Sequence, residues 1–414
     1  MKKIIHIELL PNFEEDDFEI IETLNKTQAS NIYNIYKEKI TIFLKQIFPQ
    51  GNFFFFKTAR SALTAILLFL KEKLNSNKEE IYTQAFTCLV VPNAIQFANL
   101  KPVFVDIKKR TANMNLEDLN NKINKEKGLA IIVQNTFGIP DEIKNIIEIA
   151  KVNNLYVIEN LAHAFGARFQ GKFLGNFGDF AIVSFDNTKT ISSLLGGLLV
   201  INRQDLVDEF NKFYERLEEC SLKEVKVKIK YALVLKKIKK YYHPVGKTLI
   251  YLAKKLNLTP KLIQNQEMEG LMPKNYMAKF PPLLYPLLWN QVKKIFRFNE
   301  HRKKIASLYL KHGFIFLGEA ERKNDAIFLR YPITTYYKQE ILTKLKRKGI
   351  YLGDWYSSVL APVNYNLEKF GYQPRSCREA EKLINVSLNL PTHINISEED
   401  VERIVTEIYE NLRS

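Results

Sequence analysis

The chain has 414 residues, with 61 Lys and Arg against 45 Asp and Glu, a formal net charge of +16 and 46% hydrophobic residues. That length supports a large α/β domain plus a smaller one, each with its own core. Cys88, Cys220 and Cys377 are too few and too scattered for a disulfide framework, no His, Cys or carboxylate cluster shows metal-ligand spacing, and no apolar stretch is long enough to span a bilayer.

The opening MKKIIHIELLPNFEEDD has a short apolar run broken by Glu8 and Pro11 and does not read as a signal peptide. Phe53 to Phe56 predict a buried strand, and Ser61 onward predicts a helix whose N-terminal amides suit a phosphate. The segments from EEIYTQAFTCLVVPNAIQFA to DFAIVSFDN then alternate β-branched apolar runs with amphipathic stretches, the pattern of a largely parallel sheet. In such sheets ligands gather beyond the C-terminal strand ends. The polar residues there are Thr87, Cys88, Asn135, Glu159, Asn160, His163 and the run from Ser184 to Lys189. Taken singly, each reads as a cap or turn residue; their shared placement at one edge points to a site.

Between Val183 and Gly197 the chain reads VSFDNTKTISSLLGG. A lysine on a loop at a strand end, with hydroxyls beside it, suits covalent chemistry on a phosphate-bearing cofactor, although most loop lysines are solvated. Asp186 in the same loop is open to two readings, a substrate contact or a turn cap.

Residues 221–262 hold twelve lysines and a single acid, Glu224, and so carry eleven of the sixteen net charges. Val245, Leu249, Leu252, Ala253 and Leu256 share one helical face, with Lys247, Lys254 and Lys255 available to others. A structural or dimerisation arm and an element lying on an anionic membrane surface have nearly this same composition. Nothing resembles a nucleic-acid module. Farther on, FLRYPI predicts a strand, Lys338 to Lys348 a helix, and two helices flank NVSLNLPTHI, an α+β pattern. His393 reads as a structural loop residue. The domain division is 1–50, an N-terminal segment; 51–220, the large α/β domain; 221–270, a basic, largely helical insertion; and 271–414, a helix leading into a small α+β domain.

The ordered elements TARSAL, FTCLVVPNAI, PVFVDI, NTFGIPD, VIENLAHAFGA, GNFGDFAIVSFDNTK, GG, FLRYPI, CREAEKLINVSLNLPTH and ISEEDVERIV resemble the DegT/StrS family of sugar aminotransferases. The resemblance implies an α/β protein of fold type I that uses pyridoxal 5'-phosphate (PLP). It makes Lys189 the Schiff-base lysine and puts Ser184 and the amides of Arg60 and Ser61 at the phosphate. It places His163 near the ring's phenolic oxygen, and Cys88 where many relatives carry a ring-stacking aromatic. Trp355 and Tyr356 fall where relatives approach the sugar, with core packing the competing reading.

Three departures stand out against that family. Asn160 occupies the position of an aspartate that pairs with the protonated pyridine nitrogen. A nearby opposite charge commonly moves a pKa by roughly one to three units, at about 1.4 kcal/mol each. Its full loss at the transition state slows a reaction by roughly ten to a thousand fold. Met277 falls on an asparagine that relatives extend into the neighbouring subunit, with Lys279 on the basic residue after it, if Gln291 and Val292 align without gaps; Asn275 substitutes only after a two-residue shift. Finally, TISSLLGG carries leucines where relatives have a polar run, which suits either an apolar entrance or packing at a dimer interface.

The expectation is therefore a cytoplasmic homodimer that moves an amino group from an amino acid, glutamate by preference, to a nucleotide- or lipid-linked keto sugar. Residues 221–262 are the candidate contact to the inner membrane face. The competing expectation is a relative of altered or absent catalysis, acting as a partner protein in surface-polysaccharide biosynthesis.

Overall fold

The computed structural model describes residues 3–27, 34–74, 77–109, 111–240, 242, 246, 248, 251, 255, 259–261, 263–315 and 325–413. Seven strands form the central sheet: β1 (Asn52–Phe56), β2 (Glu80–Gln84), β3 (Lys101–Val105), β4 (Gly128–Gln134), β5 (Tyr156–Asn160), β6 (Phe180–Ser184) and β7 (Gly197–Ile201). Their order is β1-β7-β6-β5-β4-β2-β3, and β7 alone runs against the others. Gln84, Gln134, Asn160 and Ser184 therefore end their strands at one edge, the edge at which β1 turns into its helix.

Helix α2 (Ala59–Leu74) starts at that edge, and α1 (Glu15–Lys26), α3 (Leu222–Lys240), α4 (Tyr285–Val292) and α5 (Ile295–Lys311) share one core with Phe55 and Val183 of the sheet. The four phenylalanines of β1 show why the sheet is covered on both faces. Phe54 and Phe56 pack with Leu63, Ile66 and Leu70 of α2, whereas Phe55 joins the core on the opposite face with Phe280 and Tyr285. A strand buried on both sides reads as a continuous apolar run instead of an alternating one.

In the C-terminal half, β8 (Arg330–Thr334) pairs antiparallel with β9 (Ser387–Pro391), and helices Lys338–Arg347, Arg378–Val386 and Glu398–Arg413 surround a second core. Two short seams join the halves. Thr87–Cys88 pairs with Leu360–Ala361, and Ile5–His6 pairs in parallel with Ile350–Tyr351.

The described part of the basic stretch is mainly a helix packed on its own chain. Helix α3 buries Val225, Ile229, Ala232 and Leu235, and it packs on α1. Its Lys226 ammonium donates to the carbonyls of Leu24, Asn25 and Thr27 at 2.7, 2.8 and 2.6 Å, satisfying backbone acceptors that the end of α1 leaves open. Lys236 meets Glu15 and Glu22, and Glu224 meets Lys57 at 2.7 Å. Val245, Lys247, Leu249, Leu252, Ala253, Lys254 and Leu256 lie outside the described residues.

One grouping escaped the sequence. Glu14, Asp16 and Asp17 bring carboxylate oxygens within 4.8 Å of one another at the start of α1. Their charge is met by Lys294, at 3.1, 2.6 and 3.0 Å respectively, and by Arg297 against Glu14.

Candidate active site

The lysine loop joins β6 to β7 at the sheet's C-terminal edge. Phe185 N–H donates to Gly196 O at 2.9 Å and Ser193 N–H to Phe185 O at 3.0 Å, closing the loop's base. At its tip Lys189 N–H donates to Asp186 O at 3.1 Å, and Asp186 Oδ1 accepts from Asn187 N at 2.7 Å. Asp186 thus serves the turn. Each glycine of the GG pair has its own reason. Gly196 sits at φ +137°, and a β-carbon on Gly197 would lie 2.3 Å from Ala59 N and 2.4 Å from the Thr58 carbonyl carbon. Only a residue without a side chain lets β7 start against the first turn of α2.

Lys189 is half-buried, and its amine is held below the ordinary lysine pKa of 10.5. Burial is the main cause, Arg330 and Arg60 push the same way, and Cys88 and Asp186 push back. The neighbourhood that the fold assembles around Nζ thus holds the guanidinium groups of Arg330 and Arg60 together with the carboxylate of Asp186. Such a donor set is complementary to an anion.

At the start of α2, Thr58 Oγ1 accepts from Ser61 N at 3.1 Å, while Ser61 Oγ donates to Tyr276 O at 2.6 Å. Arg60 reaches sideways to Glu267 at 2.7 Å, a buried pair. Ser184, the last residue of β6, is buried opposite Gly197. Asn160 ends β5 with its Oδ1 accepting from Ala162 N at 3.1 Å, so its Nδ2 is the group left to donate. Cys88 is half-buried in the seam with Ala361.

His163 is buried among aromatics. Its Nδ1 accepts from Phe137 N at 3.3 Å, which places the ring proton on Nε2, 3.3 Å from the Tyr356 hydroxyl. Burial first, then Lys189 and Arg330, hold its pKa well below 6.5, so the ring is neutral. Tyr356 is a core residue, edge-on to Phe86 at 5.2 Å. Trp355 is half-buried, with the Arg330 guanidinium 3.2 Å from its ring centre, His163 stacked at 5.1 Å and Lys189 Nζ at 5.0 Å.

Other candidates turn out to be architectural. Glu159 is fully buried and accepts from the amides of Gly175, Phe177 and Gly178 at 2.7 to 2.8 Å, folding the turn before β6. Asn135 binds Asp141 N at 2.9 Å and His393 binds His6 O at 3.2 Å. Residues 275–280 run along β1, with Lys57 N–H donating to Ala278 O at 2.8 Å and Phe280 N–H to Phe55 O at 3.0 Å. Within that run Met277 packs beside α2 and Lys279 pairs with Glu215 at 3.0 Å.

The sequence did not single out Arg330, Arg302 or Asn12. Arg330 carried a signal: a charged residue in the middle of FLRYPI has to find a counter-charge, and it finds Glu8 at 2.7 Å. Arg302 sits among surface cations of α5 and Asn12 in an irregular segment, where no periodicity marks them.

The chain belongs to the DegT/DnrJ/EryC1/StrS aminotransferase family, which it matches over residues 45–230 and 278–409. It is 35% identical over 188 residues to the GDP-perosamine synthase of Escherichia coli O157:H7, covering 45% of this chain and half the length of that protein. It is 24% identical over 357 residues to the UDP-N-acetyl-3-dehydro-alpha-D-glucosamine 3-aminotransferase of Acidithiobacillus ferrooxidans, covering 85% of this chain and 83% of that one. Among solved structures, PseC of Helicobacter pylori, an aminotransferase of pseudaminic acid biosynthesis, superposes over all of both chains with a TM-score of 0.74 at 20% identity, a likeness of fold. The fold is that of the fold type I aminotransferases, and the cofactor of the family is PLP. The residues present fit it: a half-buried lysine of lowered pKa stands among cations that complement a phosphate, opposite an amide donor at Asn160.

The charges around Lys189 set a test. Labelling of Lys189 by an amine-reactive reagent, followed by mass spectrometry against pH in cofactor-free protein, should give a midpoint below 10.5. Asp186→Asn removes a charge that favours the ammonium and should lower the midpoint further, and Arg330→Met should raise it. Shifts of the opposite sign would show that these groups do not face the amine.

Proposed function

We propose that the chain transfers an amino group from an amino acid, with glutamate as the expected donor, to a keto sugar carried on a nucleotide or a lipid. The observation that carries this reading is the amine of Lys189, half-buried and deprived of part of its proton affinity at the edge where the strand ends converge. Relatives named for GDP- and UDP-linked sugars support the substrate class.

When bound, PLP supplies a carbonyl that amines attack and a ring that accepts electrons from the substrate carbon. This chain's residues supply the rest. Lys189 Nζ would hold the cofactor and, when free, would carry a proton from the donor's carbon to the cofactor's carbon, a role that a lowered pKa favours near neutrality. Ser184 and the first turn of α2 hold the phosphate, with Arg60 adding positive charge. Neutral His163 offers its Nε2 proton toward the ring's edge. Cys88 makes the contact that an aromatic makes in many relatives.

Asn160 tunes the ring. Because its Oδ1 is taken by Ala162 N–H, it presents an N–H, which suits an unprotonated pyridine nitrogen and withholds the charge that would strengthen the electron sink. The same orientation favours a second reading, in which the chain binds the cofactor with little turnover and serves as a partner protein.

We further propose a cytoplasmic homodimer with domains divided at about residues 50, 220 and 270. Among the described residues no helix is long and apolar enough to cross a membrane. Membrane contact would rest on the outer face of α3, where Lys223, Lys230 and Lys237 alternate with exposed Val227 and Val234.

Three outcomes follow. Protein loaded with PLP should show a cofactor absorption band that shifts on adding glutamate, and borohydride should attach the cofactor to Lys189; Lys189→Ala should abolish both, and an unresponsive band would favour the partner reading. Asn160→Asp keeps the acceptor for Ala162 and places a carboxylate oxygen where Nδ2 stands, so the glutamate half-reaction should accelerate by roughly ten-fold or more; equal or slower turnover with cofactor still bound would show a site built around the uncharged ring nitrogen. Cosedimentation with vesicles containing anionic lipid should fall when Lys223, Lys230 and Lys237 are changed to Gln, and no binding by the unmodified protein would remove the membrane contact.

A further inference from the structure

Residues 3–13 lie outside the family match, yet they lead from the C-terminal half to the active-site lysine. Ile5–His6 pairs with Ile350–Tyr351, Glu8 holds Arg330 at 2.7 Å, and Asn395 Nδ2 donates to the carbonyls of Leu10 and Pro11 at 3.2 and 2.9 Å. The next residue, Asn12, is 1% exposed. Its Nδ2 donates to Lys189 O, its Oδ1 accepts from Arg302 Nη2 at 2.5 Å, and its own carbonyl accepts from Gln291 Nε2 at 3.0 Å.

The partners of Asn12 act on the same loop. Arg302 Nη2 also donates to Thr190 O at 2.7 Å, and Gln291 Oε1 accepts from Ser192 N at 3.0 Å. Three consecutive fastenings, the carbonyls of Lys189 and Thr190 and the amide of Ser192, therefore come from side chains outside the loop. Buried backbone groups without a ladder partner need such bonds.

The arrangement is costly. Arg302 is fully buried, and among the described residues it meets the neutral oxygens of Asn12, Thr190 and Asn299 and no carboxylate. Burial pushes its guanidinium pKa down to about 9. A charge kept in a dry site without a counter-charge is destabilising unless its donors are used. Here Nη1 and Nη2 of Arg302 use theirs to bracket Asn12 and the loop together, while Nε has no partner among the described residues.

We propose that Asn12 is a positioning residue for Lys189: the N–H it gives to the Lys189 carbonyl, braced by Arg302, fixes where the amine stands, and so makes residues 3–13 part of the active site. This rests on Lys189 being the cofactor lysine, and the two ideas fail separately.

Asn12→Asp keeps an acceptor for Arg302, now charged, and deletes only the donor to Lys189. Its unfolding midpoint in urea should equal or exceed that of the unmodified protein, while hydrogen exchange at the amides of Lys189, Ser192 and Ser193 should quicken at least ten-fold in cofactor-free protein. Asn12→Leu, close in shape and uncharged, should move the labelling midpoint of Lys189 up toward that of an ordinary lysine as the amine becomes more hydrated. Unmodified exchange in Asn12→Asp, or an unmodified midpoint in Asn12→Leu, overturns the proposal. Borohydride fixation of PLP in the unmodified protein reports separately on Lys189: absence of an adduct there refutes the functional reading and leaves the exchange comparison to decide the role of Asn12.

Discussion

The missing β-carbon at Gly197 sets the distance on which the site depends. Strand β7 begins within van der Waals contact of Thr58 and Ala59, so the loop that precedes it is forced against the first turn of α2. Parallel pairing of β2, β4, β5 and β6 brings the other strand ends to the same edge. A helix N-terminus, the end of a buried strand and a lysine loop then share a small volume without any one of them carrying all the chemistry. This is the general geometry of open parallel sheets, with a glycine determining how tightly it closes.

The site is also defined by what its cations lack. Among the described residues Arg60 pairs with Glu267 and Arg330 with Glu8, whereas Lys189 has an electrostatic neighbour in Asp186 but no close ion pair. The cations sit in a half-buried place, where they act on neighbouring amines and imidazoles more strongly than at the surface. The neutrality of His163 and the lowered proton affinity of Lys189 both follow from burial reinforced by those cations.

The central sheet was legible in the sequence because its strands are continuous apolar runs and its helices periodic; β1, β6, β7 and the loop around Lys189 fall where the patterns put them. Family motifs pointed to the residues at the strand ends for the same reason, since those ends are close to their strands in sequence. What the sequence could not show are contacts between distant segments. Glu159 looked like a site residue and proves to be a turn-builder, because three amides from residues 175–178 fold back onto it. Asn12 and Arg302 looked like nothing in particular, because their roles depend on a loop far from both. The lysine-rich stretch had two compositional explanations, and composition could not show which of its lysines, such as Lys226 and Lys236, are taken up by contacts with α1.

The seam between Ile5–His6 and Ile350–Tyr351 has a consequence for how the molecule is made. The two strands it joins lie far apart in sequence, so the sheet-bearing half can close around β1 to β7 while residues 3–13 are still unanchored. The carbonyl of Lys189 receives its last hydrogen bond only when that leading segment is captured by the final third of the chain. The loop that carries Lys189 is thus completed by segments far from it in sequence, and its order reports on the folding of both halves together.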